Sequence, residues 1–367
     1  MSRALAFLSG GAPPDYGSRL ARLRWRRAVG AAQSDDWDPA ASAAASISGA
    51  ADWVVVLDAT ALPVALAAPE PPPGRVLAAQ TAVPEDPLFI HTLRELEGAR
   101  LRPAEEAGST EPSALAFRAA DFPAAGNETV NIYIKRLLTS CLARATDPAF
   151  RVVRLGDPSD RERPELTRLL PGGPLRVLDA GCGAGAGISA AKSRNPSWTV
   201  TGVEWDEALA GKARTRCDRV LEGDLARILP ELSAAGERFD AVVFADVLEH
   251  LADPVAALAA GLGVAAPGAL LVVSVPNAGH LSIVRDLVAG RFDPIPAGLT
   301  DARHLRWFTR ATLAEALVEA GWRSVAIEGE RGAPSPDAAP FLEIAAAWPD
   351  CDRESLTTYQ WIATAVA

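Results

Sequence analysis

Residues Leu175–Lys192 read LRVLDAGCGAGAGISAAK. An apolar run, Val177-Leu178, ends in an acid, Asp179, and a glycine turn follows at once, Gly181-Cys182-Gly183-Ala184-Gly185. The small-residue segment Ile188–Lys192 behind it suits the start of a helix. Glycines at alternate positions let the backbone pass beneath a ligand where a Cβ would collide. A helix start offers free N–H groups to the same ligand. The stretch predicts a strand–turn–helix cradle for a nucleotide-like cofactor.

Spacing alone does not choose that cofactor, because Gly181-x-Gly183-x-x-Ala186 also satisfies the loose dinucleotide pattern. The surroundings do. A second strand, Trp198–Val203, ends at Glu204, about twenty residues past the turn, where a carboxylate can accept from ribose hydroxyls. A third, around Arg219–Leu221, ends at Gly223-Asp224, and a fourth, Phe239–Phe244, ends at Asp246. Acids therefore follow the first four strands on one edge of the expected sheet. A pyrophosphate gains nothing from Asp179 beside its turn, whereas a ligand with an amino group and a sulfonium does.

These motifs together resemble the class I S-adenosylmethionine (SAM)-dependent methyltransferases. VLDAGCGAG at Val177–Gly185 is similar to their first motif, GVEWD at Gly202–Asp206 to the ribose-binding motif and EGDL at Glu222–Leu225 to the adenine motif. FDAVVFADVLEHLADP at Phe239–Pro254 resembles the segment after strand four in the ubiquinone-biosynthesis type of O-methyltransferase. LLVVSVPNAGHLS at Leu270–Ser282 and TDARHLRWFTRATLAEALVEAGW at Thr300–Trp322 are similar to a subgroup found beside sugar-modifying enzymes. The resemblance implies SAM as cofactor, S-adenosylhomocysteine as product, and a Rossmann-like, seven-stranded α/β sheet with a closing antiparallel strand pair.

On this reading Gly181, Gly183 and Gly185 would hold the methionine portion and Asp179 would orient its amino group, directly or through water. Glu204 would bind the ribose, with Trp205 against adenine. Asp224 would accept from the adenine amine beside Leu225, and Asp246 completes the cofactor set. SAM carries its own leaving group, so the protein must align the acceptor and exclude water. A hydroxyl acceptor also needs a base, and histidine suits that near neutral pH. Of the four histidines in the chain, His250 follows strand four, His280 follows strand five and His304 precedes the next helix. His250 and His304 lead as base candidates, with His280 third. Asp246, Glu249, His250, Asp301 and His304 are also a loose acid/histidine group, read here as a hydrogen-bonding network with no metal.

Composition narrows the classes further. The 367 residues exceed one average domain, 49% are apolar, and the formal net charge is −10 with a pI of about 5.1. That balance argues against nucleic acid or an anionic membrane as main partner. Lysine occurs only at Lys135, Lys192 and Lys212, which reads as base-composition bias. Cys141, Cys182, Cys217 and Cys351 lack paired CxxC spacing, and Cys182 in the glycine turn reads as a small packing residue, not a nucleophile. Ala4–Leu8 is too short for a signal peptide, and Asp58 and Pro63 interrupt the apolar stretch Val54–Ala68, so a cytoplasmic location is expected.

Two domains are expected: residues 1–155, an accessory α/β domain for packing, dimerisation or acceptor binding, and residues 156–367, the methyltransferase domain. In the second, strand five is Ala269–Val275, Arg310–Ala320 is a helix with Thr309 as N-cap and Gly321 as C′ residue, and Ser324–Glu328 pairs with Thr358–Val366. Gly329–Glu354 reads as a long Pro- and Ala-rich loop with no helical pattern. In the first, strand-like runs fall at Leu5–Leu8, Trp53–Leu57, Val76–Ala79 and Ala114–Phe117, with a basic helix at Arg19–Ala32. Ala41–Pro63, Ser113–Phe122, a helix at Asn131–Ala145 and Phe150–Leu155 faintly resemble a degenerate inverting glycosyltransferase. The acidic pair is reduced there to Asp58, with Thr60 in place of the second acid.

Methyl transfer to a hydroxyl of a small or sugar-containing acceptor is the preferred reading, with Gly290–Ala302 forming part of the acceptor wall. N- or C-methylation fits the same residues, and a SAM-binding partner without turnover or a homodimer stays open. A nicotinamide oxidoreductase is opposed by Asp179 and by the acid after strand three.

Overall fold

In a computed structural model of the chain, the described residues are 3–8, 34–37, 53–58, 62–63, 77–84, 101–103, 114–118, 145–153, 161–295, 298–332 and 338–367. The chain divides into two compact units, Met1–Gly156 with Asp293–Arg303, and Asp157–Phe292 with His304–Ala367.

The first unit contains a mixed sheet of β1 (Arg3–Leu8), β2 (Ser34–Trp37), β3 (Trp53–Asp58), β4 (Leu62–Pro63), β5 (Leu77–Pro84), β6 (Leu101–Pro103), β7 (Ala114–Arg118) and β8 (Ala145–Val153). Their order is β2-β1-β3-β7-β5-β8-β4, with β6 on β5. β1 is parallel to β2 and β3, and β7 is antiparallel to β3 and β5. Asp58 closes β3; Thr60, Cys141, the Arg19–Ala32 helix and residues 131–144 of the expected Asn131–Ala145 helix lie outside the described residues. Ala145, the last residue of that expected helix, opens β8 instead.

The second unit is built on β9 (Leu175–Ala180), β10 (Trp198–Glu204), β11 (Arg219–Glu222), β12 (Phe239–Ala245), β13 (Ala265–Pro276), β14 (Arg323–Arg331) and β15 (Thr358–Val366). The strands form one seven-stranded sheet, ordered β11-β10-β9-β12-β13-β15-β14. The first five are parallel, and β15 runs antiparallel between β13 and β14. This is the Rossmann-like sheet with a closing antiparallel pair that the motifs imply.

Central parallel strands are covered on both faces, so they read as unbroken apolar runs, not alternations. Side chains still alternate between faces. Leu178, Val242, Phe244 and Val273 enter one core with Trp322 and Trp361, while Val177, Ala241, Val243 and Val272 enter a second core with Leu166 and Ile188. Trp322 fills its side fully and donates from Nε1 to the Leu258 carbonyl at 2.9 Å, so its polar end is satisfied.

The helices are α1 (Pro164–Thr167), α2 (Ala186–Arg194), α3 (Glu207–Ala213), α4 (Leu225–Ala234), α5 (Pro254–Gly263), α6 (Leu281–Val288), α7 (Arg310–Glu319), α8 (Ala339–Ala346) and α9 (Arg353–Thr357). α7 starts as expected: Thr309 and Thr312 form a reciprocal capping box, and Gly321 follows its end with φ +93°.

One expectation fails in this unit. The segment read as a loop without helix, Gly329–Glu354, extends β14 to Arg331 and contains α8 and the start of α9. Pro340 sits in the first turn of α8, where its missing N–H costs nothing, and Asp352 caps α9 by accepting from Ser355 N at 3.1 Å. Phe341 and Leu342 of α8 pack beside a small core of Leu281, Ala338 and Leu356. No helix among the described residues is long and apolar enough to cross a membrane.

Candidate functional site

β9 is the switch point of the sheet: β10 lies on one side of it and β12 on the other. In open α/β sheets the crevice outside the carboxyl ends at such a point is where ligands bind. The segments leaving β9, β10, β11 and β12 all emerge on that edge.

The turn after β9 uses left-handed backbone at Gly181 (φ +79°), Gly183 (φ +55°) and Gly185 (φ +77°). At Gly181 a Cβ would also stand 2.5 Å from Val247 Cγ2, so conformation and space both require glycine there. The turn is anchored by Gly181 N and Cys182 N, which donate to the Val203 carbonyl at 2.8 and 3.0 Å. Gly185 then becomes the N-cap of α2.

Glu204 ties the end of β10 to this turn. Its buried carboxylate accepts from Gly183 N at 2.8 Å and from Asp206 N at 2.9 Å. Asp224 caps α4 by accepting from Ala226 N at 2.8 Å, with buried Leu225 next to it. Trp205 stands 80% exposed at the rim. Cys182 is buried, and its hydrogen bond with Cys217, followed by burial, holds the thiol far above the ordinary range. It packs and is not a nucleophile.

Asp179 is 4% exposed near the end of β9. Burial pushes its carboxyl up to about 7; Arg163 pulls it down and Glu204 pushes it further up. Asp179 and Arg163 line a cavity of about 20 Å³ with Gly187 and Val243, enough for one water. A buried carboxylate beside such a space suits an ammonium group held directly or through water.

Asp246 is one of two described non-glycine residues with left-handed backbone, φ +53°. Its carboxylate is engaged by Arg163 at 2.5 Å, Ser274 Oγ at 2.7 Å and Gln360 Nε2 at 2.5 Å. Burial alone would raise its pKa, but the Arg163 charge and the hydrogen bonds from Ser274, Arg163 and Gln360 outweigh it and hold the carboxyl below its ordinary range. Asp246 thus joins Arg163, β13 and β15 beneath the crevice, with its carboxylate turned to protein partners.

The segment after Asp246 forms a single 3₁₀ turn, Leu248–His250. Leu305 N and Arg306 N both donate to the Glu249 carbonyl, at 2.7 and 3.0 Å, which fixes His304 beside it. The His250 and His304 rings meet edge-on with centroids 5.0 Å apart, and His304 meets Trp307 at 5.6 Å. Phe292 and Trp307 continue the aromatic wall at 5.1 Å. One ligand atom each from Glu249, His250 and His304 lies within 4.8 Å of the others.

The five-residue acid/histidine group does not gather as a whole. Asp246 is engaged as described, and Asp301 pairs with Arg303 at 2.6 Å. His280 is also apart: it caps α6, its Nδ1 accepting from Ser282 N at 3.3 Å. Burial first, then the charge of Arg285, lowers its pKa to about 4, too weak a base for the task. Arg163, Ser274 and Gln360 were missed in the sequence because their common partner is far away along the chain. The Arg-Pro step at Arg163-Pro164, a helix start before the glycine turn, was the one available signal.

Residues 151–327 match the family model described as "Methyltransferase domain". The ubiquinone biosynthesis O-methyltransferase of Dinoroseobacter shibae is 33% identical over 159 residues, 42% of this chain and 62% of that protein. The malonyl-[acyl-carrier protein] O-methyltransferase of Geobacter sulfurreducens is 30% identical over 171 residues, 46% of this chain and 64% of that protein. A solved SAM-dependent methyltransferase from Archaeoglobus fulgidus aligns with TM-score 0.42 and 20% identity, over 55% of this chain and 91% of that one. The chain spans less than two thirds of the length of these curated relatives.

Proposed function

We propose that this chain, which carries a class I SAM-dependent methyltransferase domain with SAM as its cofactor, transfers the SAM methyl group to a hydroxyl oxygen of a small or sugar-containing acceptor. One observation supports this most: the glycine turn and Asp179, Glu204 and Asp224 share the carboxyl edge of the sheet with the His250–His304 pair. Cofactor and proton acceptor thus belong to the same crevice.

Gly181, Gly183 and Gly185 bring backbone up to the methionine portion, Asp179 holds its ammonium, and Glu204 accepts from the ribose. Asp224 keeps one oxygen on its helix cap and offers the other to the adenine amine. The acceptor oxygen forms its bond to the methyl carbon as the carbon–sulfur bond breaks. The hydroxyl proton goes to a ring nitrogen of His250 or His304. Trp307 and Phe292 give a sugar or aromatic acceptor a flat face to lie on.

Calorimetric titration with S-adenosylhomocysteine, with NAD for comparison, tests the reading. S-adenosylhomocysteine binds the wild-type protein and binds Asp224→Ala more weakly. Binding of NAD instead, or of neither, overturns it. With the cofactor settled, labelled SAM and a panel of phenols, catechols and sugars identify the acceptor.

A further inference from the structure

We infer that the faces of α6 and α8 left uncovered by their shared core form an interface with a second copy of this chain, related by a twofold axis so that α6 of one copy lies across α8 of the other. The inference is independent of the methyl-transfer reading.

The apolar faces of both helices outrun the core they fill. α6 and α8 meet around Leu281, Ala338 and Leu356, with Val284, Phe341, Leu342 and Ala345 packed beside them. Residues three and four apart share a helix face. Val284 is therefore followed on its face by Leu287 and Val288, and Phe341 and Ala345 are followed by Ile344 and Trp348. Trp348 keeps the helical turn going past the end of α8, its N–H donating to the Ala345 carbonyl at 3.1 Å. None of these four side chains is covered: Val288 is 74% exposed, Ile344 and Trp348 are each 72% exposed, and Leu287 is exposed as well. No residue of α8 is fully buried. Single exposed apolar side chains are ordinary, but apolar faces that continue from a core into solvent mark a contact surface. Tryptophan is favoured at the centre of such contacts.

Charge selects the occupant. The basic side chains belong to the α6 side: Arg285 within the helix and Arg291 just past it, both partly exposed, while the acid of this helix, Asp286, is buried. The acids belong to the α8 side: Glu343 next to Ile344, and Asp350 two residues past Trp348, both exposed. The charges that follow are engaged within the chain. Asp352 caps α9, Arg353 donates to the Ala346 carbonyl at 2.8 Å, and Glu354 pairs with Arg331 at 2.5 Å and Arg310 at 3.2 Å. The surface thus carries its own complement. Across a twofold axis, Arg285 and Arg291 of one copy face Glu343 and Asp350 of the other, twice over, and Leu287 and Val288 meet Ile344 and Trp348. Self-complementarity of this kind is what a closed, isologous dimer requires. An anionic membrane is disfavoured by the exposed acids and by the net charge of −10.

Sedimentation equilibrium of the tag-free, full-length chain over a wide range of concentration tests this. A monomer–dimer equilibrium is expected. Ile344→Glu and Trp348→Glu each weaken the dimer by at least ~10-fold, whereas Val318→Glu, on α7, leaves it unchanged. Reversing the two acids alone (Glu343→Arg with Asp350→Arg) or the two arginines alone (Arg285→Glu with Arg291→Glu) also weakens it. The chain with all four reversals recovers, which damage to the fold would not produce. Circular dichroism melting checks the fold of each variant. A chain that stays monomeric at every concentration overturns the inference, and so does a dimer that survives both apolar variants or four reversals that bring no recovery. Flotation with vesicles of phosphatidylcholine and phosphatidylglycerol covers the other occupant. A monomer that binds them and loses that binding in Trp348→Glu assigns the face to a membrane and overturns the dimer.

Discussion

Asp179 is the side chain whose chemistry depends most on its surroundings. Its carboxyl is raised from 3.8 to about 7, so between those values the folded chain holds a proton that the unfolded chain has released. Stability from this group therefore falls as pH rises through that window and levels off above it. Asp179→Asn should remove the slope and make the ligand-free protein more stable at pH 8, as urea unfolding at several pH values would show. The same substitution should weaken S-adenosylhomocysteine binding. In the wild type, that affinity should climb with pH by up to about tenfold per unit and flatten near 7. Arg163 and Asp246 are a different case, a charge pair with the arginine buried. Arg163→Met leaves a carboxylate without its cation and should cost about 3–5 kcal/mol in denaturant unfolding. Asp246→Asn should cost less than Asp246→Ala, because asparagine tolerates the left-handed backbone. The acids at the strand ends were legible because each follows an apolar run. Arg163 was not, because nothing local marks a side chain whose partners sit on β12, β13 and β15.

Among the elements, β9, β10 and β12 were legible to within a residue or two because strands buried on both faces spell themselves out as apolar runs. β13 begins earlier than its apolar core suggests: Ala265 already pairs with Phe239 ahead of a register shift, and Pro267-Gly268 hid that extension. α8 and α9 escaped for the opposite reason. Proline and alanine between β14 and β15 resemble loop composition, and these short helices gain their stability from a shared cluster, α9 contributing Leu356 and α8 packing Phe341 and Leu342 beside it and Leu281, not from a periodic face. The capping box of α7 was readable, because its signal is local. Thr309→Ala should cost about 1 kcal/mol and lower the melting temperature by roughly 2–4 °C. The turn after β9 is less forgiving. Gly181→Ala meets Val247 and a left-handed backbone together, so it should abolish measurable S-adenosylhomocysteine binding. Adding Val247→Ala relieves only the collision, and calorimetry on the pair should find little recovery.

For the molecule as a whole, every residue assigned here to cofactor binding belongs to the second unit. S-adenosylhomocysteine at a hundred times its dissociation constant should stabilise that unit by about 2.7 kcal/mol. In differential scanning calorimetry its melting transition should rise with ligand concentration, and any transition of the first unit should stay in place. The first unit was also the less legible one: prolines break it into short pieces, and its strands are set by long-range pairing. The sheet of the second unit has one more consequence, for how it is made. β15, the last of its strands along the chain, takes an interior place, between β13 and β14, and brings Gln360 to Asp246. On the ribosome, a chain halted before Thr358 would hold two exposed strand edges and an Asp246 carboxylate with one of its partners absent. Such edges invite pairing with other chains. The sheet closes only once its late strand slides into the gap, so cellular quality control would see a truncated product as unfinished, not merely shorter.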